Sequence, residues 1–160
     1  MSKAKDKERG EAHIENRRAH FDYTIGETLE CGMVLGGAEV KSVRQGKVSL
    51  QEGYVRAELD PMPALWLHGV NIAEYGPAAG NPLSPVRTRK LLAHKREIAK
   101  LWKATQIKGN TLVPLKIYFK DGYAKCLIGV GTGKKRGDKR EAIKERETRR
   151  DIQRAMSKRV

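Results

Sequence analysis

The stretch "LVPLKIYFKDGYAKCLIGV", residues 112–130, constrains the fold more than any other part of the chain. Asp121-Gly122 tolerates positive φ, which a two-residue hairpin needs if its twist is to match its strands. Apolar and polar residues alternate on both sides of this pair, the period of a strand. A tight turn sets Lys120 opposite Tyr123, Phe119 opposite Ala124 and Tyr118 opposite Lys125. One side of the hairpin then carries Leu115, Ile117, Phe119, Ala124, Cys126 and Ile128, and suits a core. The other carries Lys116, Tyr118, Lys120, Tyr123 and Lys125. A solvated face accounts for the lysines alone. Two tyrosines among three lysines favour a surface that touches phosphate and sugar.

Shorter strand-like runs precede the hairpin, at Tyr23–Ile25, Leu29–Leu35, Tyr54–Leu59 and Leu65–Ile72, separated by Gly, Pro and Asp. "GGAEVKSVRQG" breaks their rhythm: Val40 and Val43 share one side, and Gly46 is placed to end a short helix. A longer helix is predicted over Lys95–Ile107, with Ile98, Leu101, Trp102 and Thr105 on one face and Gly109 beyond its end. "AEYGPAAGNPLSPVRT" has three prolines and two glycines and reads as a long surface loop. The class expected is mainly β: a small oligonucleotide-binding-like antiparallel β-barrel with two or three short helices. Residues 1–15 are expected as a disordered arm, 16–132 as the barrel, and 133–160 as a basic C-terminal tail.

The formal net charge is +14. An excess this large calls for a polyanion, nucleic acid before an acidic membrane surface. Residues 134–160 hold twelve Lys/Arg against five Asp/Glu, with only Ile143, Ile152, Met156 and Val160 as sizeable aliphatic side chains. That segment cannot bury enough apolar area to offset its ordering entropy. Within the barrel region, "RTRKLLAHKRE" (87–97) concentrates Arg87, Arg89 and Lys90 before Leu91-Leu92. Its guanidinium forks suit phosphate and base stacking, although a solvated strand edge before a helix start reads the same way. "ENRRAHF" (15–21) adds Arg17 and Arg18, with Asn16 able to offer a donor and an acceptor to a base edge or to serve as a turn or cap residue.

Several chemistries are excluded. "GTGKKRGDKREAIKERETRR" (131–150) invites a phosphate-loop reading, but Ile128 stands where a Walker loop has its first glycine and Lys135 where it has Ser/Thr. His13, His20, His68 and His94 lack metal-ligand spacing and no CxxC occurs, so neither metal nor cofactor is expected. No G-x-S-x-G elbow or paired catalytic carboxylate appears, and Glu30 and Glu39 read as ordinary carboxylates: a non-enzyme. Cys31 and Cys126 are isolated in apolar runs and read as buried free thiols. With no spanning apolar run and no signal-peptide core, a cytoplasmic protein is expected. In the 131–150 run, Lys134, Lys135 and Arg136 among glycines read as a basic hinge. Asp138 followed by Glu141 reads as a capping box that starts a helix. Glu141–Lys144 and Glu145–Arg149 would support that helix by only a few tenths of a kcal/mol each. The tail is therefore expected to be helical when bound.

Taken in order, "NRRA", "GGAEVKSVRQGK", "RTRKLLAHKREI", "TLVPLKIYFKDG" and "GTGKKRGDKRE" resemble the SsrA-binding protein family, SmpB, from about Asn16 to Arg146. The resemblance implies a partner of transfer-messenger RNA (tmRNA, SsrA) in trans-translation. Such a protein binds the tRNA-like domain and helps bring it to stalled 70S ribosomes. Its C-terminal tail reaches the decoding centre and the empty mRNA channel, against small-subunit rRNA. Elongation factor Tu and alanyl-tmRNA are the implied companions, with no membrane, and a monomer is expected. By position, Asn16, Arg17, Glu30, Lys41, Arg44, Leu92 and Lys125 match family positions on or near the RNA surface. Arg18, Arg87, Arg89, Lys90, Lys116 and Tyr118 join them as candidates from the clusters above. Glu30, repelled by phosphate, is implied to accept from base amino groups or a ribose hydroxyl. Leu92 offers an apolar surface to an unstacked base or belongs to the core. Gly133, Lys134, Lys135, Arg136, Asp138, Lys139 and Arg140 match the tail-root motif that faces the ribosome. Gly137 stands where the family often has a histidine or aromatic residue. A general RNA-binding or ribosome-assembly barrel is the alternative; it would share the basic-aromatic hairpin without needing such a tail.

Overall fold

The computed structural model describes residues 12–76 and 83–158, except the side chain of Arg136. Most of the expected N-terminal arm, the centre of the 73–88 loop and the last two residues lie outside the described residues. In order, the elements are β1 (Ile14–Glu15), α1 (Arg17–Asp22), β2 (Tyr23–Met33), α2 (Gly37–Arg44), β3 (Val48–Ser49), β4 (Tyr54–Glu58) and β5 (Ala64–His68). They continue with β6 (Asn71–Ile72), β7 (Arg89–Leu92), α3 (Lys95–Thr105), β8 (Asn110–Lys120), β9 (Tyr123–Gly133) and α4 (Arg136–Ser157). Strands β8, β4, β5, β7, β2 and β9 pair in that order, all antiparallel, and β9 pairs back onto β8. The sheet is thus a closed barrel, and closure removes the unpaired edges that an open sheet presents. The expectation of a mainly β, antiparallel barrel with a few helices holds.

The β8–β9 hairpin follows the predicted register, with Lys120 opposite Tyr123 and Tyr118 opposite Lys125. Asp121 (φ 53°) and Gly122 (φ 81°) both sit in the left-handed region that such a turn requires. The expected core face is right except at Leu115. A bulge between Pro114 and Lys116 inserts that residue without a partner and shifts the pleat by one. Leu115 therefore turns outward, into a small second cluster with Ala19 and Val113 beneath α1. The main core fills the barrel with Cys31, Val55, Leu65, Leu67, Leu91, Leu112, Ile117 and Ile128, reached by Val43 from α2 and by Ile98 and Leu101 from α3.

Other boundaries depart locally from expectation. The two predicted runs over 23–35 are one strand, β2, interrupted by an irregularity between Ile25 and Thr28. The run over 65–72 is instead two strands, turned at Gly69. Its φ is 70°, and a Cβ there would lie 2.5 Å from the Glu52 carbonyl oxygen, so only glycine fits. Ile14 and Glu15, expected in the arm, pair with Ile117 and Lys116 as a short strand beside β8. Cys31 and Cys126 are buried, free and directly opposite each other across β2 and β9, as the reading of isolated apolar thiols required. Burial, with Glu97 and Glu30 nearby, pushes the Cys31 thiol up to about 12, and burial raises Cys126 likewise, so both stay protonated and inert.

The tail root also differs. Gly131 and Gly133 belong to β9, which leaves Lys134 and Lys135 as the only link to α4. The Lys134 backbone N–H donates to the Asp22 carbonyl at 3.0 Å, so Lys135 is the last extended residue (φ −72°, ψ 160°) and the N-cap. The helix therefore begins at Arg136, two residues before the predicted cap. Asp138 lies inside the first turn, where its charge meets the positive end of the helix dipole without a capping-box bond. Helix α4 is formed along its full 22 residues and meets the body along its N-terminal half, where Lys139 and Arg146 approach Phe21 of α1. Among the described residues no helix is long and apolar enough to cross a membrane.

Candidate nucleic-acid interface

Near the hairpin end of the barrel, outward residues of β2, β9 and β8 come together. Tyr118 donates its hydroxyl to Glu30 Oε2, and Lys120 Nζ lies 3.4 Å from Glu30 Oε1. Gly32 pairs with Lys125 on one side of β9, and Tyr118 pairs with it on the other. The Tyr118 bond, with help from Lys120 and Lys125, holds the Glu30 carboxyl below its ordinary range against the opposing effect of burial. Burial, then the Glu30 bond, pushes Tyr118 up to about 12, which keeps its hydroxyl a donor. Glu30 is thus an ionised acceptor with one oxygen engaged by Tyr118, ringed by cations that would attract phosphate on either side. His13 reaches the far side of Tyr118, with ring centroids 6.0 Å apart.

Leu92 stands beside this group, opposite Gly32 in β7. It is 51 % exposed, which rules out the core alternative and leaves an apolar surface facing solvent. Lys90 is exposed on the same strand. On α2, Lys41 Nζ lies 5.2 Å from the Tyr75 ring centroid and Arg44 Cζ lies 5.4 Å from that of Phe119. Each cation is held over a ring while its residue stays exposed. Arg17 is exposed on α1, and Arg18 is paired with Asp22 at 3.2 Å. Lys116 lies 3.6 Å from Glu15.

Three predicted contact residues are instead spent on the fold. Asn16 is 4 % exposed. Its Oδ1 accepts the Ala19 N–H at 3.2 Å and caps α1. Its Nδ2 donates to the Leu50 and Pro114 carbonyls at 3.3 and 2.9 Å, and its backbone N–H donates to that of Leu115 at 2.8 Å. Asn16 therefore takes up the two carbonyls at the β8 bulge, and nothing remains for a base edge. Arg89 is fully buried: Nε donates to Glu39 Oε2 at 2.6 Å, and its other nitrogens donate to the carbonyls of Val70, Arg87 and Pro85. Arg87 donates through Nε to both Glu39 oxygens at 3.1 Å, and Glu39 also accepts the Gly36 N–H at 2.9 Å. Burial pushes the Glu39 carboxyl up, but the bonds from Arg87, Gly36 and Arg89 outweigh it and hold the group below its ordinary range. The charges of Arg87 and Arg89 are thus answered inside the protein, where they tie α2 to the strand that carries Lys90 and Leu92.

Glu39, Tyr75 and Phe119 complete the arrangement without having been singled out as site residues, and Lys120, from the phosphate-suited side of the hairpin, joins Glu30 there. One sequence signal pointed to Glu39's partner: Arg89 has the same strand parity as Leu91, so if Leu91 faces the core Arg89 must as well. Nothing in the sequence pairs Lys41 with Tyr75 or Arg44 with Phe119, because those contacts are made by the fold.

At the tail root, Lys134 Nζ donates to the His20 carbonyl at 2.9 Å, and Lys139 Nζ lies 3.4 Å from Asp22 Oδ1. Lys139 and Arg146 approach the Phe21 ring at 5.9 and 6.0 Å. Gly133 ends β9, Lys135 caps α4, and Gly137 and Arg140 are exposed on its first turns. The side chain of Arg136 lies outside the described residues. Among the described residues no group of three His, Cys, Asp or Glu could hold a metal ion.

A sequence model of the SmpB protein family matches residues 13–158. A relative from Anoxybacillus flavithermus (strain DSM 21510 / WK1), "SsrA-binding protein", is 47 % identical over 150 residues, covering 94 % of this chain and 96 % of its own. One of the same name from Geobacillus sp. (strain WCH70) is 48 % identical, covering 94 % and 95 %. A solved chain described as "tmRNA-SmpB: a journey to the center of the bacterial ribosome" superposes with a TM-score of 0.66 at 46 % identity, over 82 % of this chain and 94 % of that one. With nearly the whole length matched and the barrel shared, this chain belongs to the SmpB protein family.

Proposed function

We propose that this protein binds the tRNA-like domain of tmRNA and brings it to stalled ribosomes for trans-translation. The observation that carries the reading is the outward cluster of Glu30, Tyr118, Lys120 and Lys125 beside the exposed Leu92. It joins an ionised acceptor for base amino groups or a 2′-hydroxyl, flanking cations for phosphate, and an apolar surface for an unstacked base. Arg17, Arg18, Lys41, Arg44, Lys90 and Lys116 extend the contact surface, while Asn16, Arg87 and Arg89 position it. Helix α4, with Lys134, Lys135, Asp138, Lys139 and Arg140 at its root, enters the decoding centre and mRNA channel. Alanyl-tmRNA and elongation factor Tu complete the delivery complex. The protein contributes recognition, and no bond chemistry is assigned to it.

The test is affinity for the tRNA-like RNA across salt, beside a generic hairpin of equal length. A log–log salt slope of about −4 or steeper and preference for the tRNA-like RNA are expected. Equal affinity for the two RNAs would overturn the specific claim. Removing residues 134–160 should leave this binding nearly intact and abolish rescue of stalled ribosomes. Loss of RNA binding on truncation would overturn the role given to the tail.

A further inference from the structure

The outward face of β4, β5 and β7 carries a further set of side chains suited to nucleic acid, which adjoins the site above and shares only Lys90 with it. Two cross-strand rows make it up. In the first, Tyr54 pairs with His68, their rings stacked at 5.0 Å between centroids and 9° between planes. His68 Nδ1 lies 3.2 Å from Thr88 Oγ1, which fixes the imidazole from the β7 side. In the second row, Trp66 is paired with Arg56 on one neighbour and Lys90 on the other. A half-buried indole thus sits between two exposed cations on the strands that flank it. Arg56 leans toward Glu58 at 3.8 Å, but its side chain remains 70 % exposed.

These features point to one ligand chemistry. Stacking two rings in the open leaves the outer face of Tyr54, itself 50 % exposed, as a flat platform. Every base has a π-face, so aromatic platforms beside cations hold unpaired nucleotides without demanding a sequence. The rows are two residues apart along each strand, about 6.8 Å, room for successive bases of an extended strand. A protein partner would find little to bury here: the largest exposed groups of the face are rings flanked by charge, with no contiguous aliphatic patch.

We propose that this face is a second RNA-contact surface, which stacks unpaired nucleotides on Tyr54 and Trp66 and takes their phosphates on Arg56 and Lys90. It is reached from the Glu30 cluster by way of Leu92, on the same strand as Lys90. It does not depend on which RNA the protein serves.

The chain has two tryptophans, Trp66 and Trp102, so the full-length Trp102→Phe variant reports Trp66 alone. Titration with an unstructured RNA of about eight nucleotides at low salt should quench its emission. Tyr54→Leu, which keeps bulk and removes the π-face, should weaken that RNA about tenfold. Far-UV circular dichroism of Tyr54→Leu checks the fold, and Arg56→Ala, on an exposed position, should independently weaken binding and flatten the salt slope by about one. Absence of binding, binding with unchanged Trp66 emission, or unaltered affinity in both variants would overturn the proposal. Quenching by the short RNA without preference for the tRNA-like RNA would uphold this surface and sink the function proposed above.

Discussion

At the scale of the residue, Glu39 decides more than any group on the surface. It is the common acceptor of Arg87 and Arg89, and Arg89 has no water to fall back on. Glu39→Ala leaves that guanidinium buried and uncompensated, and should cost about 3–5 kcal/mol in urea unfolding. The carboxyl's folded pKa is depressed from 4.5, so its contribution is complete above that unfolded value. It is lost as pH falls through the lower folded value, where the native state must take up a proton. Acid unfolding monitored by circular dichroism should therefore steepen below about pH 4.5 in the parent and less so in Glu39→Gln. Tyr118→Phe tests a different carboxylate. Removing the bond that most lowers Glu30 should move its pKa upward toward the ordinary value, read from its carboxyl carbon by NMR titration. An unmoved Glu30 would mean that Lys120 and Lys125 set its charge unaided.

At the scale of the element, the β8 bulge and helix α1 form one unit through Asn16. Asn16→Ala deletes the cap of α1 and the amide that accompanies the bulge carbonyls. The cap alone is worth about 1 kcal/mol, and losing the buried Nδ2 bonds to the Leu50 and Pro114 carbonyls adds a further cost of about 1–3 kcal/mol. Thermal melting should show the loss, and hydrogen exchange should place it first in α1. This unit also marks where sequence legibility ends. The hairpin was legible to the residue because Asp121-Gly122 fixes its register and alternation fixes its faces. Leu115 was not, because a bulge changes strand parity without changing composition. Helices α2 and α3 were legible from their apolar spacing and closing glycines. The start of α4 was not, since the hydrogen bond from Lys134 to Asp22 that sets it joins residues far apart in the chain. The same division runs through the candidate site. Tyr118 is legible as an outward residue from the hairpin's alternation, Glu30, Leu92 and Lys125 only through the family resemblance by position, and the fold brings the four side by side. Arg87 and Arg89 read as surface residues because polarity suggests exposure, whereas Asn16 takes the cap role that the sequence leaves open beside the base-edge one; the buried partners of all three are made by the fold.

At the scale of the whole molecule, the closed barrel and the basic helix are nearly separate energetically. Helix α4 meets the body through Lys139 and Asp22 and through cations at Phe21, contacts of the exposed kind that contribute little. A chain ending at Gly133 should melt within about 4 °C of the full-length protein, measured by calorimetry, although half the net charge is gone. A larger fall would show that the helix braces α1. The link itself has a mechanical meaning. Only Lys134 and Lys135 separate the last strand residue from the helix, and Lys134 is tied to α1 at both its backbone N–H and its ammonium group. A helix of 22 residues is a rod about 33 Å long. Mounted on so short a joint it works as a lever arm, and a tilt of about 10° at the joint sweeps its tip through about 6 Å. Small rotations of the barrel on its RNA are thereby magnified into a change of address for the far end of the chain.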